Sequence, residues 1–163
     1  MLKQVQHDKT KNMSLNIVLI EPEIPNNTGN IGRLSLASGS TLHLVKPFGF
    51  ELSDSRVKRA GLDYWKHVDL KIYESADEFF STHSNKKMAF LSSHGTKSVY
   101  DIPFEDGMFL IFGKESAGLS EEITNKNSDK LYQIPIHSEH IRSLNLANAV
   151  SVVVYEGLRQ LRS

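Results

Sequence analysis

The chain has no cysteine among its 163 residues. That excludes disulfides, thiolate-ligated zinc and any covalent catalysis through a thiol, including RNA modification by way of a cysteine adduct. Long apolar runs are also missing: nothing approaches the roughly 18 consecutive apolar residues that a membrane helix needs. The polar stretch from Met1 to Asn12 cannot serve as the hydrophobic region of a secretion signal. A soluble, cytoplasmic protein that engages no membrane is expected. Net charge is absent too, because 19 basic residues balance 19 acidic ones. The molecule as a whole offers no field to attract a polyanion, so any nucleic-acid contact must come from a local patch. What remains is an ordinary globular composition, 39% hydrophobic and 23% charged, with length for one core.

Residues 1–13 are polar and aperiodic until Met13 and read as an extension or an expression remnant, leaving residues 14–163 as a single domain. Asn16 to Ile20 is a β-branched run of buried-strand length, closed by Pro22 and Pro25. An Asn- and Gly-rich loop is expected next. Ile31, Leu34, Leu36 and Ala37 have helical spacing that stops at Gly39, and Thr41 to Val45 reads as the next strand, which makes one β-α-β unit. A helix is expected around Ser55 to Ala60, and strands at Leu70 to Tyr73, Met88 to Leu91, Met108 to Phe112 and Leu131 to Ile136. Ser75 with Glu78 forms a capping box, and Ser120 caps a short helix with Glu121 and Glu122 in its first turn.

The segment Leu144 to Leu161 sets propensity against context. Val150, Val152, Val153 and Val154 favour strand, but the length and the strand-helix alternation predict a helix. The expected fold class is therefore α/β, a parallel sheet flanked by helices. Apolar residues surround that last helix on nearly every side, so one face must meet something beyond the sheet, and a dimer partner would cover it.

Familiar motifs fail on inspection. Gly113 to Gly118 has the glycine spacing of a phosphate loop, but Leu119 stands where the lysine should be. Lys114 occupies the glycine position that a nucleophile elbow at Ser116 would need. His137 and His140 follow Pro135 without a third ligand nearby and are expected to be loop residues, so no metal is implied. The Asn26-Asn27-Thr28 sequon has no meaning without a secretion signal.

Three segments together carry a resemblance: NIVLIEPEIPNNTGNIGR from Asn16 to Arg33, FGKESAGL from Phe112 to Leu119, and IPIHSEHIRSLNLANAVSVVVYE from Ile134 to Glu156. With RAGLDYW from Arg59 to Trp65 between them, the chain resembles the SPOUT class of RNA methyltransferases. The resemblance is specifically to its small single-domain members, which 2′-O-methylate the wobble nucleotide of tRNA. It implies a C-terminal deep trefoil knot in the α/β sheet, an exception to the rule that chains do not thread. It also implies S-adenosylmethionine as cofactor, a homodimer as working unit and the anticodon stem-loop of tRNA as substrate.

Carried over residue by residue, the implied cofactor pocket falls on Leu91, Gly113, Ile134, Ser143 and Leu144. Apolar walls, a hydroxyl and a glycine suit a nucleoside, although Leu91 and Ile134 would also be expected at any buried strand end and Gly113 in any tight turn. Arg33 matches the family's motif arginine. Because a guanidinium is always protonated, it is expected to contact phosphate or ribose and favour alkoxide charge rather than to act as a base. Asn27, Glu115, Ser143 and Asn145 match the remaining polar positions; for Asn27 and Asn145, turn and helix-cap chemistry stands beside a direct role. Arg56, Lys58, Arg59 and Lys66, interleaved with Tyr64 and Trp65, form the candidate RNA-facing patch, with Arg142 as a further phosphate contact. Trp65 would equally serve as core, and such a cluster as a solvated face. The open alternatives are another tRNA or rRNA position, or a knotted RNA-binding protein without transfer activity.

Overall fold

The computed structural model of the protein describes residues 13–57 and 62–162. Most of the expected N-terminal extension, Lys58, Arg59 and the end of the helix expected around Ser55 to Ala60 lie outside the described residues.

Seven strands form one sheet: β1 (Asn16–Ile20), β2 (Thr41–Val45), β3 (Leu70–Tyr73), β4 (Met88–Leu91), β5 (Lys97–Ser98), β6 (Phe109–Phe112) and β7 (Leu131–Gln133). Their order across the sheet is β3-β2-β1-β6-β4-β7-β5, and every pairing is parallel. The last strand in sequence is therefore inserted between β4 and β5. Among the described residues, helices α1 (Pro25–Ser38), α2 (Ala76–Thr82), α3 (Glu121–Lys126) and α4 (Leu146–Arg162) accompany them.

Parallel strands covered on both faces read as continuous apolar runs, which is why the central strands were legible. Along β1, Ile17 and Leu19 point into a layer with Ile31 of α1 and Val150, Val153 and Val154 of α4, where α1 packs directly on α4. Val18 and Ile20 point the other way, into a layer with Phe79 of α2, Phe109 and Ile111. The segment from Leu144 is a helix as expected, beginning at Leu146. Burial of one valine-rich face outweighs the modest helix penalty of β-branched residues.

Two expectations differ from the structure, and one strand had none. The segment after β1 is not an Asn- and Gly-rich loop, since α1 starts at Pro25 and Asn26 to Asn30 form its first turns. Proline fits there because the first helical position needs no N–H donor. The last strand ends at Gln133 rather than Ile136, with Pro135 unable to extend a hydrogen-bonded ladder. The two-residue β5 gave no sequence signal. The caps, by contrast, lie where expected: Ser75 Oγ accepts from Glu78 N–H, Ser120 Oγ from Ile123 N–H, and Gly39 ends α1 in the left-handed region at φ 68°.

Candidate active site at the carboxyl edge of the sheet

In an open α/β sheet, ligands gather outside the carboxyl ends of the strands where connections diverge to opposite sides. Here that point lies between β1, whose chain proceeds to β2, and β6, whose chain proceeds past β4 to β7. A cavity of about 610 Å³ opens there, within the range of small-molecule sites. Its walls come from the segments that follow β1, β4, β6 and β7, and from the loop before α4.

All five residues assigned to the cofactor pocket line this cavity: Leu91, Gly113, Ile134, Ser143 and Leu144. So do Asn27, Glu115, Asn145 and Arg142. Four distant stretches of sequence thus converge on one space. Arg33 is not among the lining residues. It lies on the outer face of α1, six positions beyond Asn27 and so about 9 Å further along the helix axis.

Two hydrogen-bonded ties fix the loops. Asn145 Nδ2 donates to Asn27 Oδ1 at 3.1 Å, while Asn145 Oδ1 accepts from the N–H groups of Ala147 at 2.9 Å and Asn148 at 3.3 Å. Asn145 is therefore the cap of α4 and its link to α1 at once. The second tie is reciprocal: Glu23 N–H donates to Glu115 Oε2 at 2.7 Å, and Ser116 N–H donates to Glu23 Oε1 at 2.9 Å. The bond from Ser116 holds the Glu23 carboxyl below its ordinary pKa. The other oxygen of Glu115, Oε1, is buried at the cavity without a partner, whereas Thr28 Oγ1, also buried and unpartnered, lies outside the cavity lining. An orphaned acceptor of this kind calls for a donor from a ligand or from water.

Gly113 is required by the protein's own backbone. A Cβ there would run into the main chain of Gly118 and Leu119, because the loop after β6 folds back on itself through the Lys114–Gly118 bridge. Glu23, His94 and Lys114 also belong to the site and escaped sequence reading. Glu23 and Glu115 are 92 positions apart, and no local pattern announces such a pair.

The expected RNA-facing patch is divided. Arg56 is engaged by Asp54, with contacts of 2.9 and 3.2 Å to its two oxygens. Lys66 is exposed, whereas Trp65 is half-buried with its ring lying where a side chain on Gly32 would sit. Next to it, the Tyr64 ring lies under the guanidinium of Arg33, 5.4 Å from Cζ to the ring centroid. His137 and His140 are exposed loop residues, and among the described residues no group of three or more His, Asp or Glu is placed to hold a metal.

The residues fit an adenosyl cofactor: apolar walls from Leu91, Ile134 and Leu144, hydroxyl and main-chain groups beside them, and the unpartnered Glu115 Oε1. Known proteins agree with this architecture. The chain is 44% identical over 147 residues, covering 90% of its length and 95% of the relative's, to the tRNA (cytidine(34)-2'-O)-methyltransferase of Saccharophagus degradans. A solved structure concerned with the 2-OH methylation of C/U34 on tRNA superposes with a TM-score of 0.88 at 43% identity, covering 92% of this chain and 97% of that one. The fold also matches the SpoU methyltransferase AviRb from Streptomyces viridochromogenes, solved in complex with AdoMet. That match has a TM-score of 0.80 at 24% identity, covering 93% of this chain and 59% of the other. The family model for SpoU rRNA methylases matches residues 14–155, and the chain belongs to the SpoU rRNA methylase family.

Proposed function

We propose that the protein transfers a methyl group from S-adenosylmethionine to the ribose 2′-hydroxyl of the wobble cytidine or uridine of tRNA. The observation that carries this reading is the cavity itself, which gathers Leu91, Gly113, Ile134, Ser143 and Leu144, every cofactor residue that the resemblance implies. The names of the similar proteins support the choice of tRNA and of nucleotide 34. When bound, S-adenosylmethionine supplies an electrophilic methyl on a sulfonium sulfur, so the protein has mainly to orient the incoming hydroxyl.

Leu91, Ile134 and Leu144 give the adenine apolar walls, and Gly113 and Ser143 offer main-chain and hydroxyl partners. Asn27 and Asn145 lock the first and last loops together, and Glu23 and Glu115 lock the first to the middle one. Arg33 grips the phosphate or ribose of the target nucleotide and favours charge developing on the attacking oxygen, with Arg142 at the cavity as a further phosphate contact.

Arg33 does not line the cavity of its own chain, so the reading requires the outer face of α1 to be brought over a cavity by a second copy or by bound RNA. A homodimer is supported by α4, which leaves Val152 and Tyr155 exposed at 37% and 49%, and by Ile24, Ile141 and Leu144, exposed at 43%, 55% and 38%. The anticodon stem-loop is the reading's substrate and the cytoplasm its place of action. Incubation with methyl-labelled S-adenosylmethionine and total tRNA, followed by nuclease digestion and mass spectrometry, tests the proposal. A ribose methyl on nucleotide 34 is expected; label on a base, at another position or on rRNA alone overturns it.

A further inference from the structure

Arg33 stands on the exposed stripe of α1 with Asn26, Asn30 and Ala37. A long cationic side chain on such a stripe would ordinarily sample many rotamers, and ordering it costs conformational entropy. The usual way to hold an arginine is an ion pair with a carboxylate. Among the described residues no carboxylate pairs with Arg33.

What the structure supplies instead is an aromatic floor. The short 3-10 helix Leu62–His67 lies on the outer side of α1, and Trp65 seats it there against Gly32, where any side chain would collide with the indole. That seat places the neighbouring Tyr64 ring 5.4 Å from Arg33 Cζ, inside the roughly 6 Å range of a cation–π contact. The two ways of holding the guanidinium differ chemically. A carboxylate consumes the edge N–H donors and neutralises the charge, whereas a ring touches only the face and leaves the donors and the full charge for a phosphate or ribose oxygen.

We infer that Tyr64 is a positioning residue for Arg33, holding the guanidinium in place for the target nucleotide without spending its charge or its donors. The inference rests on the reading that Arg33 acts on the substrate. It assigns the Trp65–Gly32 contact the task of fixing Tyr64, so the aromatic pair acts on the protein's own arginine rather than by stacking on an RNA base.

The test compares Tyr64→Leu with Tyr64→Phe in the full-length protein, under saturating cofactor and tRNA, with melting temperature and calorimetric affinity for S-adenosylhomocysteine measured alongside. Tyr64→Leu is expected to lower kcat by about fivefold, the scale of one exposed cation–π contact. Tyr64→Phe, which keeps the ring face, is expected to restore kcat to within about twofold of the parent. Cofactor affinity and melting temperature should hold in both. Parental kcat in Tyr64→Leu overturns the inference, as does an equal loss in Tyr64→Phe, which would assign the effect to the hydroxyl. A fall in melting temperature and cofactor affinity in proportion to kcat overturns it as well, because the residue would then be only structural. Arg33→Ala separates the two readings: full activity there removes the role of Arg33 itself, whereas an inactive Arg33→Ala beside an unaffected Tyr64→Leu removes only that of Tyr64.

Discussion

Asn145 and Asn27 are joined side chain to side chain at 3.1 Å across 118 positions of sequence. The same Asn145 caps α4 through its other amide atom, so one residue starts the last helix and fastens it to the first. Both atoms of the tie belong to cavity-lining residues. Cap and tie can be separated by mutation. Asn145→Ala loses both and is expected to cost about 2 kcal/mol, the sum of a typical cap and a typical hydrogen bond. Asn145→Ser retains a capping oxygen without the reach to Asn27, and should cost roughly half as much. Urea denaturation decides: equal losses in the two variants would mean that the tie contributes nothing to stability.

The reciprocal pair of Glu23 and Glu115 leads to a different readout. These contacts hold the middle loop against the turn before α1, so their loss should loosen the cavity more than the fold. Glu23→Ala is expected to weaken S-adenosylhomocysteine binding by roughly three- to tenfold, the range of one hydrogen bond, with little change in melting temperature. Titration calorimetry checks it. Unchanged affinity would show that the loop keeps its shape without Glu23.

What the sequence made legible follows from how far each signal reaches. β1, β2, β3 and β4 occupy the residues predicted for them, because a doubly covered parallel strand needs a continuous apolar run that carries its own boundaries. The start of α1 was hidden, since Pro25-Asn26-Asn27-Thr28-Gly29-Asn30 has loop composition and owes its helical form to tertiary ties such as that from Asn145. For the site, motif resemblance located the cavity residues but not the contacts between them. Glu23, and the placing of Tyr64 under Arg33, depend on segments brought together only by folding. The threaded passage implied by the resemblance has no periodic signature at all.

Gly113 offers a steric test. A Cβ at this position meets main-chain atoms of Gly118 and Leu119, which cannot rotate away as a side-chain tip would. Gly113→Ala should therefore destabilise the protein by about 1–3 kcal/mol, the cost of overpacking, and abolish measurable cofactor binding by shifting the loop. Thermal melts with and without S-adenosylhomocysteine check both parts. A variant that melts like the parent and is still stabilised by the ligand would show that the loop has slack.

A group that makes folding sensitive to pH lies on the other side of the sheet. His43 of β2 is buried at 4% exposure, with Nδ1 2.9 Å from Tyr73 Oη and Nε2 2.8 Å from Asn16 Oδ1; Tyr73 Oη in turn lies 2.9 Å from His83 Nε2. Phe79 and Phe109 close around the imidazole. Burial in this aromatic layer, assisted by repulsion from His83, pushes the His43 pKa from 6.5 down to about 4, while Asp69 opposes the shift and Lys71 adds to it. Burial likewise lowers His83, with Lys86 adding to the effect. The unfolded chain therefore takes up protons that the folded one refuses between pH 6.5 and about 4. Folding stability is complete above the unfolded value and falls as the pH drops through this window, by about 3 kcal/mol for His43 alone. Urea denaturation at pH 7.5, 6 and 5 should show the decline beginning well above the ordinary carboxylate range. Replacing the imidazole by the non-titrating amide in His43→Gln should flatten the curve between pH 6.5 and 5. If parent and variant lose stability in parallel there, the buried imidazole is not the group that takes up the proton.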